Sequence, residues 1–169
     1  MAVTVTLDKA EVQRVIDALP QTIFKAQRSA ISTTTTWAKK ELQSRMIGKT
    51  GMPAKVFRQF RVKSRRDREK GVVWLGVKQV KAAYAGKMSQ DVGGAFAGAY
   101  YFEGGFVAKM KSGHESIFKR LGKSRLPIAE QTVNIDIGLE VAEDVAIAAQ
   151  AELRNRFAAK VRELTPQIN

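Results

Sequence analysis

Apolar and polar residues alternate at the start of the chain and then change to helical spacing. Val3, Val5 and Leu7 alternate with small or polar residues, which predicts a short strand or an extended arm. Asp8 follows as a helix N-cap, and Glu11 three residues later completes a capping box. A first helix is therefore predicted to begin after Asp8.

The pattern is helical again from residue 21 to about residue 47. Apolar and small side chains recur along one side of this segment, at Ile23, Ala26, Ala30, Thr34, Trp37 and Ala38. Residues 33–36 are four consecutive threonines, and β-branched residues lose side-chain freedom in a helix. This second helix is therefore held by packing at that point, or it bends there. Gly48 is placed to end it, with residues 48–51 forming a flexible turn.

The clearest strand pattern covers residues 72–77, Val-Val-Trp-Leu-Gly-Val. Residues 60–64 have the composition of a second strand, so the two segments predict a hairpin joined by the strongly basic residues 63–71. Residues 78–102 show little periodicity and are rich in glycine, which predicts a segment that is mobile in the free protein. Its aromatic side chains either stack on bases of single-stranded nucleic acid or, as the better supported alternative, pack against protein.

Residues 101–128 predict a small antiparallel meander. Strand-forming residues at 101–110 and 117–118 are separated by turns at Ser112-Gly113 and Gly122-Lys123-Ser124. Pro127 cannot donate to a strand ladder, so we expect Leu126, Pro127 and Ile128 to lie at a sheet edge or to leave the sheet. The last strand is therefore predicted to be short, and its edge offers unpaired backbone to a neighbouring chain.

A long terminal helix is predicted from about residue 136 to residue 164. Apolar residues recur in it every four positions, at Ile137, Val141, Val145, Ala149, Leu153, Phe157 and Val161. At about 100° per residue this stripe drifts by about 40° at each step, so it winds around the helix. The two halves are expected to face different surfaces, such as the chain's own sheet and another subunit. The candidate oligomer interface is Leu126, Pro127, Ile128, Leu153, Phe157 and Val161.

These elements predict an α+β fold with two N-terminal helices, a small antiparallel sheet built from the two hairpin regions, and a long C-terminal helix packed on the sheet. We predict a single domain. Its expected parts are a helical region at 1–47, a sheet region at 55–130 with the basic hairpin and the flexible glycine-rich segment, and the C-terminal helix at 135–165.

Charge adds candidate contact surfaces to this picture. The 169 residues carry a net charge of +13, which suits a nearby polyanion such as nucleic acid or an acidic protein surface. The densest basic region is Lys55, Arg58, Arg61, Lys63, Arg65, Arg66, Arg68 and Lys70. A second cluster is Lys119, Arg120, Lys123 and Arg125. Both are candidate DNA-facing or partner-facing loops, and the alternative is that each is a solvated turn.

Little in the chain indicates catalysis. It has no cysteine, which excludes disulfides and thiolate metal sites, and its one histidine excludes a histidine-rich metal site. His114 lies in a turn, where Glu115 is the neighbour placed to polarise it, but no nucleophile motif accompanies them. We predict no catalytic residue, no metal and no cofactor. A nuclease built from carboxylates distant in sequence is a weaker alternative, which metal-dependent cleavage would reveal. With no signal peptide and no apolar run of about 20 residues, we expect cytoplasmic synthesis and no membrane partner.

The meander also carries a recognisable motif. A glycine-aromatic strand is followed by Ser-Gly-His, then by an aromatic residue with Lys-Arg, and then by Gly-Lys-x-Arg-Leu-Pro-Ile. This run resembles the phage minor tail protein Z family, a group of tail-completion proteins. The matching residues are Phe106, Met110, Ser112, Gly113, His114, Phe118, Lys119, Arg120, Gly122, Lys123, Arg125, Leu126, Pro127 and Ile128. The flanking regions agree with the family in the order of their elements only.

The resemblance implies a structural virion protein without enzyme activity. It would be a minor tail or tail-completion component at the head-proximal end of the tail tube of a long-tailed phage or prophage, and it would form part of the head-tail connector by assembling into a homo-oligomeric ring. The implied partners are other phage tail and neck proteins, with a passing contact to phage DNA. The implied location is the virion tail, and the host cytoplasm during assembly. The alternative is a basic nucleic-acid-binding protein that acts alone.

Overall fold

A computed structural model describes residues 2–6, 21–76, 78–135 and 139–164. Its elements in chain order are β1 (Ala2–Thr6), α1 (Gln21–Thr50), a π-helical segment (Val56–Arg61), β2 (Val62–Arg66), β3 (Gly71–Gly76), β4 (Val80–Lys81), α2 (Ala82–Ala85), β5 (Met88–Gln90), β6 (Gly94–Ala97), β7 (Tyr100–Glu103), β8 (Gly105–Lys109), β9 (Glu115–Arg120), β10 (Ile128–Glu130), β11 (Thr132–Val133) and α3 (Leu139–Leu164). The predicted α+β class is confirmed.

The described residues form two compact units, each assembled from separate stretches of the chain. What we call the helix unit contains described residues 2–6, 21–45, 61–76 and 139–164. What we call the sheet unit contains described residues 46–60 and 78–135. The units therefore do not follow the chain order on which the predicted parts were based.

The helix unit combines two long helices with a three-stranded antiparallel sheet in the order β1-β3-β2. Helix α3 packs against β1, and Asp144 on α3 lies 3.8 Å from Arg45 on α1. The long C-terminal helix thus packs on a sheet, as predicted, and also contacts the N-terminal helix, which was not predicted. The buried apolar side chains of this unit are Ile23, Ala26, Ala30, Ile31, Ala38, Leu42, Val62, Val73, Leu75, Ala142, Val145, Ala149 and Leu153.

Helix α1 runs without interruption through the threonine run. The hydroxyls of Thr33, Thr35 and Thr36 each donate to a carbonyl one turn earlier, at 2.9, 2.6 and 3.0 Å. Thr34 and Thr35 are buried, so packing holds this part of the helix. These back-bonds give the three hydroxyls partners within the helix itself.

The predicted end of this helix at Gly48 is wrong. The helix continues to Thr50, and Gly51 follows with a φ of 65°. The N–H of Gly51 donates to the carbonyl of Ile47 at 2.9 Å, which is the bond expected when a left-handed glycine ends a helix. Gly48 and Gly51 are close together in the sequence, and Gly51 adopts the left-handed conformation that ends the helix. The predicted first helix after Asp8 and the predicted first turn of the last helix lie outside the described residues.

The predicted basic hairpin is present, but its strand is shifted along the chain. Strand β2 covers residues 62–66, so Lys63, Arg65 and Arg66 lie in a strand and not in a loop. The turn itself is short, because the carboxylate of Asp67 accepts the N–H groups of Glu69 and Lys70, both at 2.9 Å. These backbone hydrogen bonds lower the pKa of Asp67.

The sheet unit contains three small antiparallel sheets among its described residues: β5-β6-β7, β8-β9-β10 and the pair β4-β11. The prediction that one sheet joins the two hairpin regions is therefore wrong, because β2 and β3 pair within the helix unit. Residues 78–102, which were predicted to be mobile in the free protein, form β4, α2, β5, β6 and most of β7. The buried apolar side chains of this unit are Met46, Met52, Val56, Phe57, Val80, Ala82, Ala85, Ala95, Ala97, Ile117, Phe118, Val133 and Ile135.

The predicted meander is confirmed as β8-β9-β10, with Gly113 at a φ of 84° in its first turn. One boundary differs: Gly104, at a φ of 65°, divides the predicted strand 101–110 into β7 and β8, which belong to different sheets. Pro127 lies outside the ladder and β10 has three residues at the sheet edge, as expected for a strand that follows a proline. None of the helices in the described ranges is long and apolar enough to cross a bilayer.

Candidate assembly surface

The two edges of the meander differ in how their backbone groups are used. At the β8 edge, the N–H of Val107 donates to the side-chain oxygen of Gln90 on β5 at 2.9 Å. A side chain of the neighbouring sheet thus occupies this edge, which blocks the addition of another strand there.

The β10 edge is open. Gln131 N–H donates to the carbonyl of Ile117, and Leu121 N–H donates to the carbonyl of Pro127, so the odd-numbered residues of this strand region face β9. Alternate residues of an antiparallel ladder point to opposite sides, and the N–H and C=O groups of Ile128 and Glu130 therefore point outward. No strand in the described part of the chain pairs with that side of β10. This short edge can accept an extended segment from a partner.

A loop of residues 121–127 projects beside this edge. The hydrogen bond between Leu121 N–H and the Pro127 carbonyl, at 3.1 Å, closes the base of the loop, and every residue within it is exposed. Leu121 and Leu126 are 68% and 67% exposed, which is unusual for two leucines on one short loop. Lys123 and Arg125 lie between them, so the loop combines apolar and basic contacts. We call residues 121–127 the basic loop.

The remaining members of the second basic cluster lie where β9 leads into this loop. Lys119 and Arg120 are both exposed, and the guanidinium of Arg120 lies 5.8 Å from the ring centre of Phe106. A cation over an aromatic face is held by the ring quadrupole, which fixes the direction of Arg120. The structure therefore brings the four predicted cations of this cluster together at one end of the meander.

A polar cluster ties the other end of β9 to its neighbours. One carboxylate oxygen of Glu130 lies 2.7 Å from His114 Nε2, and the other lies 2.8 Å from Lys81 Nζ. Burial alone would raise the pKa of Glu130, but hydrogen bonds, chiefly those from Lys81 and His114, lower it on balance. The hydrogen-bond partner of His114 is thus Glu130 and not the adjacent Glu115. This cluster links β4, β10 and the turn that precedes β9.

A second candidate surface lies on the outer face of the basic hairpin. Val73 and Leu75 are buried, and Trp74 between them points to the opposite face, where it is 39% exposed. Its strand neighbour across the ladder is Lys63, and Arg65 pairs with the adjacent Val72 on the same face. An exposed indole beside two cations is the arrangement that suits stacking on a base with phosphate contacts.

The indole of Trp74 lies over Gly76, where an added Cβ would come within 2.6 Å of the ring. The absence of a side chain at Gly76 therefore lets the ring lie flat on the sheet. Trp74 was not among the site residues predicted from the sequence, although its alternation with Val73 and Leu75 indicated that it faces outward. Arg68 and Lys70 are exposed in the turn, whereas Arg66 donates to Thr36 Oγ1 on α1 at 3.2 Å.

The other predicted site residues are dispersed. Lys55 and Arg58 are exposed in the sheet unit, and Arg61 belongs to the helix unit, where burial lowers its pKa. The first predicted basic cluster is therefore divided between the two units.

The predicted interface on α3 has only part of its surface available. Leu153 is buried within the helix unit at 6% exposure and cannot contact another subunit in this conformation. Phe157 and Val161 are half-buried, which leaves part of each side chain accessible.

The described residues contain no group of three histidine, aspartate or glutamate side chains placed to hold a metal ion. No protein-family model, curated protein or solved structure matches the chain. The basic loop, the open β10 edge and the Trp74 face are thus interpreted from their own residues and geometry, together with the motif in the meander.

Proposed function

We propose that this chain is a structural virion protein that completes the tail of a long-tailed phage at its head-proximal end. The observation that carries the proposal is that the residues resembling the minor tail protein Z family form one folded element with a core and an outward loop. Phe106 and Phe118 pack beneath the meander with ring centres 6.4 Å apart, whereas Lys123, Arg125 and Leu126 project from it. A rigid base with an exposed apolar and basic loop is suited to docking on another protein.

The proposed mechanism is assembly into a closed ring without catalysis. The basic loop and the open β10 edge are one contact surface, and they meet a different surface on the next subunit. Such heterologous contacts close into a ring when the rotation between subunits allows it. The basic residues that stay exposed in the ring then face DNA or an acidic neighbouring ring, consistent with a net charge of +13.

The ring proposal predicts a discrete oligomer in solution. We expect light scattering after size exclusion to give one defined mass above that of the 18.7 kDa subunit, with nucleic acid removed. Because apolar contacts from Leu121 and Leu126 contribute, the oligomer should persist at high salt. A monomer at both low and high salt that binds duplex DNA with steep salt dependence would contradict the proposal.

The second candidate function is nucleic-acid binding by the chain acting alone, and the exposed Trp74 beside Lys63 and Arg65 favours it. We expect Trp74→Leu to weaken binding to single-stranded DNA by about tenfold without changing the salt dependence, since one stacking contact is lost. Arg65→Gln should instead reduce the salt slope by about one, because it removes one phosphate contact. Fluorescence anisotropy across a salt series measures both quantities.

Phe24→Leu is the matched control for Trp74→Leu. Phe24 is 49% exposed and lies on α1 in the same unit, so the control also removes an exposed ring. Equal binding by the wild type and the Trp74→Leu variant would rule out the Trp74 face as a nucleic-acid site.

A further inference from the structure

A pair of aromatic side chains lies exposed on the outer face of the β5-β6-β7 sheet. Phe96 on β6 pairs directly with Tyr101 on β7, and their ring centres are 4.7 Å apart. The two residues are 37% and 47% exposed, and Val92 in the β5-β6 turn is fully exposed. Contiguous exposed apolar side chains of this kind mark sites of protein interaction.

The sheet holds this pair in place and does not bury it. Ala95 and Ala97 alternate with Phe96 along β6, and both alanines are fully buried. The small residues thus face the core and the large ones face outward, which reverses the usual pattern. Tyr101 lies across Gly94, where an added Cβ would come within 2.9 Å of the tyrosine hydroxyl. The aromatic pair is therefore a supported surface, with its two ring planes tilted by 42° to each other. We call this pair the platform.

The charge around the platform is negative. Asp91 in the β5-β6 turn and Glu103 at the end of β7 are both exposed. The pKa of Tyr101 is raised mainly by burial and, to a smaller extent, by these two carboxylates. Asp91 also holds the turn, because its Oδ1 accepts the N–H groups of Gly93 and Gly94 at 2.9 and 2.7 Å. We call Asp91, Val92, Phe96, Tyr101 and Glu103 the acidic face. The acidic face is thus opposite in sign to the net charge of the chain, which is +13.

The basic loop has the complementary composition. Leu121 and Leu126 supply exposed apolar side chains, and Lys123 and Arg125 supply the opposite charge. Within the described residues, no ion pair involves Glu103, Lys123 or Arg125. Each surface therefore keeps its charges available for a partner.

We propose that the basic loop of one subunit docks on the acidic face of a second copy of this chain, with leucine side chains over the aromatic pair and Arg125 or Lys123 against Glu103. This deepens the ring proposal and rests on it, because it names the two surfaces that meet. The contact joins different patches, so every open assembly still has one free loop at one end and one free face at the other. Subunits can therefore be added one after another until the ring closes.

Replacing a charged residue on each surface by one of opposite charge tests the contact. Glu103→Lys and Arg125→Glu should each raise the concentration at which the oligomer dissociates by about tenfold or more, because like charges then meet at the contact. The double variant should recover most of the wild-type assembly. An equimolar mixture of the two single variants should also assemble, since each then finds a complementary neighbour on both sides. Analytical ultracentrifugation measures all four samples.

Lys111→Glu is the matched control, because it makes the same charge change in the turn at the opposite end of β9 and should leave assembly unchanged. If the wild type forms a ring that neither reversal weakens, the docking contact is wrong and the ring proposal stands. If the wild type is monomeric at every concentration, both are wrong.

Disulfide capture gives a second readout, which does not require a charge to be reversed. The chain has no cysteine, so two introduced cysteines are the only thiols present. A mixture of Leu126→Cys and Phe96→Cys chains should form the mixed disulfide dimer under mild oxidation, in excess over either same-variant dimer. Formation of same-variant dimers alone would overturn the proposed contact.

Discussion

Replacing Gly71 with alanine is expected to lower the free energy of unfolding of the helix unit by about 2–3 kcal/mol. An added Cβ at Gly71 would overlap Oγ1 of Thr35 on α1. Thr35 is 1% exposed, and its Oγ1 donates to the carbonyl of Ile31 at 2.6 Å, so the hydroxyl cannot move without breaking that bond. Urea unfolding followed by tryptophan fluorescence measures the change, because the two tryptophans of the chain, Trp37 and Trp74, both belong to this unit.

A double-mutant cycle separates this overlap from any intrinsic effect of alanine. In the Thr35→Ala background the hydroxyl is absent, and Gly71→Ala should cost about 1–2 kcal/mol less. In the Thr35→Ser background Oγ1 remains, and the full cost should return. An equal cost of Gly71→Ala in all three backgrounds would show that the contact with Thr35 does not limit this position.

The contact between Gly71 and Thr35 could not be predicted from the sequence, although the elements that carry it could. Helix α1 was predictable, because its buried side chains recur at helical spacing, and the hairpin was predictable from the alternation in β3. The threonine run looked like a weak point because helix propensity is a local property. Its stability comes from packing between α1 and β3, and no local pattern encodes which threonine meets a glycine in a distant strand.

Residues 78–102 show a second reason why the structure could not be predicted from the sequence. These residues show little apolar periodicity, because a periodic pattern is recognised only when the large side chains face the core. In β6 the alanines face inward and Phe96 faces outward, so the alternation is present with its usual meaning reversed. The acidic face was therefore overlooked as a sheet surface. The basic loop, in contrast, was predictable, because the glycine turn and Pro127 place it outside the strands by backbone chemistry alone.

Replacing Gly86 with alanine is expected to destabilise the sheet unit by about 3 kcal/mol. Gly86 has a φ of 156°, and an added Cβ would lie 2.5 Å from Cα and 2.7 Å from N of Gly98. Both of these atoms belong to the backbone, so relief requires the strands to separate. The amide of Gly98, which donates to the carbonyl of Lys87 at 3.0 Å, should then exchange with solvent faster than in the wild type.

Native-state hydrogen exchange at Gly98 is the measurement, and Gly122→Ala is the control. Gly122 has open space at the position of a Cβ and lies in the exposed basic loop, so its substitution should leave the exchange at Gly98 unchanged. Unchanged exchange in the Gly86→Ala variant would show that the two glycines do not need their close approach. Since Gly86 precedes β5 and Gly98 follows β6, this contact closes the base of the hairpin that carries Phe96. Its loss should therefore also weaken assembly, because the acidic face depends on a rigid hairpin to hold its aromatic pair in place.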